Sequence, residues 1–326
     1  MDRGSNTKPI PRRVALFGGI NLATTAAAQY IREESPQTQI RFVTRHEKHR
    51  ATLESRFPGA EVAIADYFEV RSLEAAVKDV QGLFVITPDF MDERRAMTNL
   101  VYAIRTNRGI SHIVRFSGEL PGMTERRLPD YLRPFSGGPQ VQHGWARQIL
   151  EENGLPVTIV NAAANFFQNL TTLVYNPAIS QRRVLAAPPN RRLSWIDKAD
   201  VGRAAAAVLM SPDQRHIGQT HWVDNGHDLM WMDELADLMT DALGEKITYD
   251  GSDETFMQTN AVGMRKKHNN SENAGLFGLA LFKWEKDNEV VWRSSDIYEY
   301  LTGRKPVLFR DWLIANRDAV LNGPSP

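Results

Sequence analysis

The chain contains no cysteine. That excludes disulfides, thiolate metal ligands and cysteine nucleophiles together. It also lacks net charge, since 39 Lys and Arg balance 39 Asp and Glu. Without an excess of one sign there is no long-range field to gather nucleic acid or an anionic membrane, so neither is expected as a partner. No apolar run approaches the roughly 20 residues that cross a bilayer. Met1 to Arg13 is polar and has no apolar signal core, so residues 1–12 read as a disordered lead and a cytoplasmic location is the expectation. The eight histidines are scattered, with no HxxxH or HExxH pair, and no metal site is expected.

What is present is an ordinary globular composition, 42% apolar and 24% charged over 326 residues. That length suits about two domains. Short β-rich runs alternate with helical stretches, which predicts an α/β fold with a doubly wound parallel sheet. The first strand is Arg13 to Phe17, followed by Gly18-Gly19 and a helix over 22–34 that Ser35-Pro36 ends. Further strands are expected at 40–44, 61–65, 82–87, 110–116 and 156–161. Helices are expected at 51–56, 72–78, 92–108 and 141–153. Residues 117–138, rich in Pro and Gly, read as a long loop, and such loops are usually functional or mobile. After about Asn165 the elements shorten. The expected division is a dinucleotide-binding domain at 13–164 and a smaller mixed α/β substrate-binding region at 165–326, with the chain able to cross back to the sheet. Residues 251–286 read as a mobile substrate-side segment, and 308–320 as one terminal helix.

The turn after the first strand carries the first chemical signal. A dinucleotide cradle needs one glycine for the tight turn, one for approach of backbone N–H groups to pyrophosphate, and one for close helix–strand packing. Here Gly18 and Gly19 remain, while Asn21 and Thr24 occupy the other two places of a GxxGxxG frame. At the end of the second strand stands Arg45, in the basic cluster from Arg45 to Arg50. A carboxylate there would bind the 2′-hydroxyl of NAD, whereas an arginine suits the 2′-phosphate of NADP. The cofactor expected is therefore NADP(H), in a cradle that Asn21 and Thr24 alter.

Several blocks, in order, resemble the NmrA-like family of atypical short-chain dehydrogenase/reductases. They are Val43-Thr44-Arg45-His46-Glu47-Lys48; Ala65-Asp66-Tyr67 with Ser72 to Ala76; Leu83 to Pro88; His143 to Leu155; Asn165-Phe166-Phe167-Gln168-Asn169-Leu170; Trp195 to Val201; Ala242 to Tyr249; and Leu301 to Pro306. The resemblance spans about residues 13 to 320. It implies a Rossmann fold with Lys48, Asp66, Tyr67, Thr87 and Pro88 added to the cofactor site and Asp66 near the adenine. It also implies either an NAD(P)H-dependent reductase or a cofactor-sensing regulator. The chain departs from the pattern too. The Tyr-x-x-x-Lys pair of short-chain dehydrogenases is absent, His143 stands at the lysine position, Arg147 replaces an acidic residue, and Asn161-Ala162 replaces Arg-Pro.

A hydride transfer needs a proton donor near the substrate. His143, opening a helix, is the first candidate, since histidine as a residue type titrates near neutrality. Ser117, closing the fifth strand, and Tyr131, in the long loop, are the others. Asn165, Phe166, Phe167 and Asn169 follow the sixth strand, where the pocket of such a sheet lies, and read as aromatic walls with amide donors. Phe277, Phe282, Trp284 and Trp292 read as an apolar lid or as the core of the smaller region. A small hydrophobic substrate suits such walls. The leading expectation is an NADPH-dependent reductase of a C=C, C=N or C=O group in specialised metabolism. Beside it stand a non-redox isomerase or cyclase on a degraded cofactor site and a non-catalytic NADP-sensing regulator. Either a monomer or a homodimer is compatible with the fold.

Overall fold

The structure is a computed structural model that describes residues 6–107, 109–120, 123–135, 138–162, 164–172, 174–267, 273–289 and 293–323. Its first half lays down β1 (Arg13–Phe17), α1 (Leu22–Glu34), β2 (Gln39–Thr44), α2 (Arg50–Arg56), β3 (Glu61–Ile64), α3 (Val70–Val77), β4 (Gly82–Val85), α4 (Glu93–Thr106), β5 (His112–Ser117), α5 (Pro139–Glu152) and β6 (Val157–Asn161). The second half adds β7 (Asn165–Phe166), α6 (Asn176–Arg182), β8 (Val184–Ala186), β9 (Arg192–Ile196), α7 (Lys198–Met210), β10 (Thr220–Trp222), β11 (Leu229–Trp231), α8 (Met232–Leu243) and β12 (Thr248–Asp250). Six helices follow: α9 (Asp253–Gln258), α10 (Asn260–Lys267), α11 (Asn273–Asn288), α12 (Ile297–Thr302), α13 (Phe309–Ala315) and α14 (Arg317–Asn322).

The central sheet has the order β10-β6-β5-β4-β1-β2-β3, and all its pairings are parallel. The chain winds outward from β1 through β2 to β3, then returns to β4 beside β1 and winds the other way. The crevice outside the carboxyl ends of β1 and β4 is therefore the switch point at which such sheets bind ligands. Every residue of β4 and β5 is buried, as expected for strands covered on both faces. One face packs against α3, α4 and α5 through Leu73, Met97, Leu100 and Leu150. The other packs against α1 and α7 through Ala23, Ala27, Ala204 and Val208.

The crossing of α1 and α7 is unusually close. A Cβ on Gly202 would lie 2.1 Å from the carbonyl oxygen of Ala23, so only glycine fits there. This crossing holds the amino end of α1, and with it the dinucleotide turn, against the second half of the chain. Through β10, which pairs with β6, the second half also completes the sheet. The remaining elements form a three-stranded sheet, β11-β9-β7, and a two-stranded pair, β12-β8, around a third core that includes Phe167, Trp195, Phe256 and Phe309.

Three local expectations change. Residues 251–286, read as mobile, are largely helical in α9, α10 and α11. Their periodicity was masked because α11 is apolar on more than one side: Phe277 and Phe282 face a cavity and Trp284 a core. The terminal helix is two helices, α13 and α14, meeting at Asn316. The lead, read as disordered, is seated from Thr7 on: Thr7 bridges Asp213, and buried Lys8 donates from Nζ to the Leu209 carbonyl at 3.0 Å.

Candidate active site

The turn between β1 and α1 is tight. Gly18 has φ +106° and Gly19 φ +57°, values that side chains resist. Thr24, at the place of the third glycine, is wholly buried and donates its hydroxyl to the Phe17 carbonyl at 2.9 Å. It thus ties α1 to β1 and points away from any phosphate. Asn21 is the N-cap of α1, and its side chain accepts from the Ala23 N–H at 3.0 Å. This occupies one of the helix's orphan donors, the groups that would otherwise receive an anion. The N–H groups of Ile20 and Leu22 carry no backbone hydrogen bond among the described residues. The cradle is narrowed and not filled, so its residues fit a pyrophosphate once the Asn21 side chain turns aside.

Past β2, Thr44 is buried and shares a 3.0 Å hydrogen bond with His49 Nδ1. Arg45 and Lys48 are exposed, while Arg50 is paired with Glu47. Asp66 closes its own turn by accepting from Phe68 N–H at 2.9 Å. Tyr67 belongs to the interior. It is 8% exposed, its hydroxyl donates to the Ile86 carbonyl at 3.0 Å, and its ring stacks on Phe17. Burial raises its pKa far above the usual tyrosine value.

From the crevice a cavity of about 590 Å³ runs into the second half of the chain. Asn21, Ile86, Thr87, Pro88 and Phe116 line it at the sheet. Asn165, Phe166, Asn169 and Lys198 line it at β7 and the start of α7, and Phe277, Leu281, Phe282 and Glu285 line it along α11. His143 stands on its wall, its ring beside Gly118.

Behind His143 lies a buried network. Arg115 of β5 is 1% exposed and Glu93, the first residue of α4, is also 1% exposed. The Arg115 Nη2 group donates to both carboxylate oxygens of Glu93, at 2.8 and 2.7 Å, and to Thr87 Oγ1 at 2.7 Å. Thr87 in turn donates to Glu93 Oε1. His143 Nδ1 lies 3.0 Å from that same oxygen. Burial alone would push the Glu93 carboxyl up, but the guanidinium and the hydrogen bonds from His143 and Thr87 hold it down at about 2. The same Nδ1 lies 3.1 Å from Arg115 Nη2, so the network holds the Nδ1 edge of the ring and leaves Nε2 turned away from Glu93. The arrangement fixes the orientation of the ring, as the carboxylate partner of a catalytic histidine does.

The other expected residues divide. Ser117 is 1% exposed and donates to Glu119 Oε1 at 3.3 Å; Glu119 also pairs with Arg147 at 2.9 Å, and Ser117 is not in the cavity wall. Tyr131 is 36% exposed and outside the cavity, with the Lys283 ammonium 5.9 Å from its ring. Neither is brought to His143. Phe167 is wholly buried and stacks on Phe309 with ring centres 4.2 Å apart. It is a core residue because the chain leaves β7 after Phe166 and enters a 3-10 turn, Phe167–Leu170, that buries Phe167 and Leu170. Asn169 donates to Asn165 Oδ1 at 3.1 Å. Phe277 and Phe282 line the cavity, Trp284 lies in the core, and Trp292 falls outside the described residues.

Glu93, Arg115, Lys198 and Glu285 escaped the sequence reading. Arg115 had a signal, a lone charge inside an apolar buried strand, which requires a buried partner. Glu93 had none, because acids at a helix start ordinarily face water.

The model of the NmrA-like family matches residues 13–273. The chain belongs to the NmrA-like family. This NmrA-like protein is 30% identical over 192 residues to the NAD(P)H azoreductase of Xenophilus azovorans, a match covering 59% of the chain. The match spans 61% of that relative's length. Two solved structures share the fold. The triphenylmethane reductase of Citrobacter sp., complexed with NADP(H), has a TM-score of 0.72 at 18% identity, over 94% of this chain and 99% of that one. The NADPH-dependent quinone oxidoreductase of Escherichia coli, complexed with NADPH, has a TM-score of 0.71 at 18% identity, over 92% and 98%. No helix among the described residues is long and apolar enough to cross a membrane.

Proposed function

We propose that this protein is an NADP(H)-dependent reductase of a hydrophobic aromatic small molecule, with His143 as its proton donor. The observation that carries the reading is the continuity of one cavity from the dinucleotide turn at Asn21 to an aromatic wall, with an oriented histidine between them. The family and the reductase activities named for its relatives support it. In this reading the amino end of α1 receives the pyrophosphate, Arg45 and Lys48 the 2′-phosphate, Asp66 the adenine side, and Thr87 and Pro88 border the nicotinamide. The cofactor, when bound, supplies a hydride. His143 holds a proton at Nε2 and delivers it to the substrate atom that gains electron density, while Glu93 stabilises the imidazolium beforehand. Phe116, Phe166, Phe277 and Phe282 seat the substrate and exclude water. The reducible group is a C=C, C=N or C=O bond.

Isothermal titration tests the cofactor. NADPH is expected to bind more tightly than NADH, and an absence of heat at millimolar NADPH overturns the reading. One observation favours a second reading: Asn21 already caps α1 with its own side chain. If that cap persists, the cavity serves a non-redox isomerisation or cyclisation. Substrate-dependent loss of absorbance at 340 nm, in proportion to product, sinks it.

A further inference from the structure

Glu285 lies on α11, away from the His143 network, and lines the cavity. It is 6% exposed. Its Oε2 accepts from Arg191 Nε at 2.8 Å, whereas its Oε1 carries no hydrogen bond among the described residues. Arg191 is wholly buried and otherwise satisfied. It donates to Tyr175 Oη at 3.0 Å and to the Ala187 carbonyl at 3.3 Å, and its guanidinium lies 3.9 Å from the centre of the Phe282 ring. A carboxylate oxygen that lines a cavity without a protein donor takes its hydrogen bond from whatever fills that cavity. Burial pushes the Glu285 carboxyl up, against the pull of Arg191. The ion pair is complete on the Arg191 side and open on the cavity side. Because Arg191 already neutralises the charge, the open oxygen calls for a hydrogen-bond donor and not for a second full cation. The neighbours Phe277, Leu281 and Phe282 are apolar, so that donor must be carried by an aromatic framework.

We propose that Glu285 Oε1 anchors an O–H or N–H group of an aromatic substrate, so that Glu285 decides which aromatic molecules the cavity accepts. The inference rests on the cavity being the substrate site of the reductase reading.

Matched probes test it by binding alone, without turnover, so a failed cofactor titration and a failure here are distinguishable. Quenching of tryptophan fluorescence is measured with two donor-bearing probes, 4-hydroxyazobenzene and 4-aminoazobenzene, and with 4-methoxyazobenzene, which lacks the donor. The wild-type protein is expected to bind at least one donor-bearing probe about tenfold more tightly than the methoxy form, the worth of one hydrogen bond to a charged group. Which of the two is favoured tells O–H from N–H. Glu285→Gln keeps an oxygen for Arg191 but turns an NH₂ toward the cavity, so the preference is expected to vanish or invert while the thermal midpoint stays within a few degrees. If Glu285→Gln does not fold, the wild-type ratio decides by itself. Equal affinities in the wild type, no binding of any of the three, or an unchanged preference in a folded Glu285→Gln protein overturns the proposal.

Discussion

His143 owes its place to the residues packed behind it. Glu93 and Arg115 hold its ring at Nδ1, Arg115 keeps Glu93 ionised, and Thr87 links the two. Truncating the histidine should therefore separate chemistry from binding. His143→Ala is expected to lower kcat by about 100-fold or more, the usual loss on removing a general acid, with the NADPH dissociation constant unchanged by titration. Glu93→Ala should act differently, because it leaves the Arg115 guanidinium buried without a counter-charge. The expected cost is about 3–5 kcal/mol of stability, read as a lower urea midpoint at pH 7. A second pair of expectations concerns the cradle. Asn21→Gly frees the Ala23 N–H at a helix cost of only a few tenths of a kcal/mol, and NADPH should bind roughly tenfold more tightly. Arg45→Ala should weaken NADPH by a similar factor and leave NADH almost unaffected. Titration calorimetry reads both, and equal losses for the two cofactors would remove Arg45 from the 2′-phosphate site.

Among elements, the crossing of α1 and α7 is the least tolerant of change. Gly202→Ala drives a methyl carbon into the Ala23 carbonyl, so the helices must separate. The expected loss is about 1–3 kcal/mol, typical of overpacking, with a lower melting temperature and, because α1 carries the dinucleotide turn, weaker NADPH binding. A Gly202→Ala protein that melts like the wild type would show that the crossing has slack. Neither this contact nor the buried Glu93 was legible in the sequence, since both depend on which helices meet. What was legible is the part governed by local chemistry. Phe17-Gly18-Gly19 and the alanine run of α1 announced a strand, a turn and a close-packed helix, and the first half followed within a few residues at each end. His143, Asn165, Phe166 and Asn169 line the cavity, which lies at the carboxyl edge of a sheet whose order the βα alternation implies. Ser117 and Phe167 lie off the cavity wall: for Ser117 the face depends on the register at the last residue of β5, and Phe167 turns inward as the chain enters a 3-10 turn. Residues 251–286 misled because a helix flanked by both cavity and core loses its one-sided pattern.

For the molecule as a whole, acid is the expected weakness, and its source lies at the amino end of β5 and in β10, away from the crevice at the carboxyl ends of β1 and β4. His112 is wholly buried and shares a 2.8 Å hydrogen bond with Thr158. Burial, with Lys8 and His216 nearby, depresses its pKa to about 3. His221, 3.0 Å from His216 Nδ1, is depressed to about 4 by burial and by His216, and burial lowers His216 as well, against the pull of Asp213. His112 and His221 are neutral when folded near pH 6 and His216 holds its proton less tightly than a free imidazole, yet all three titrate near 6.5 when unfolded. The unfolded chain therefore binds more protons between about pH 6.5 and the folded values. Stability is fully present above pH 6.5 and falls as pH drops through that window, by up to about 1.4 kcal/mol per pH unit for each histidine that titrates. Glu93, held at about 2, adds a second loss as pH falls from the usual carboxylate value toward 2. Loss should thus begin between pH 6.5 and 5, before carboxylates protonate, and should loosen the seated lead around Lys8. Urea midpoints at pH 7, 6 and 5 measure it, and His221→Gln, which removes one of the protons, should flatten the slope. A midpoint level down to pH 5, or a slope that His221→Gln leaves intact, would place the acid sensitivity elsewhere.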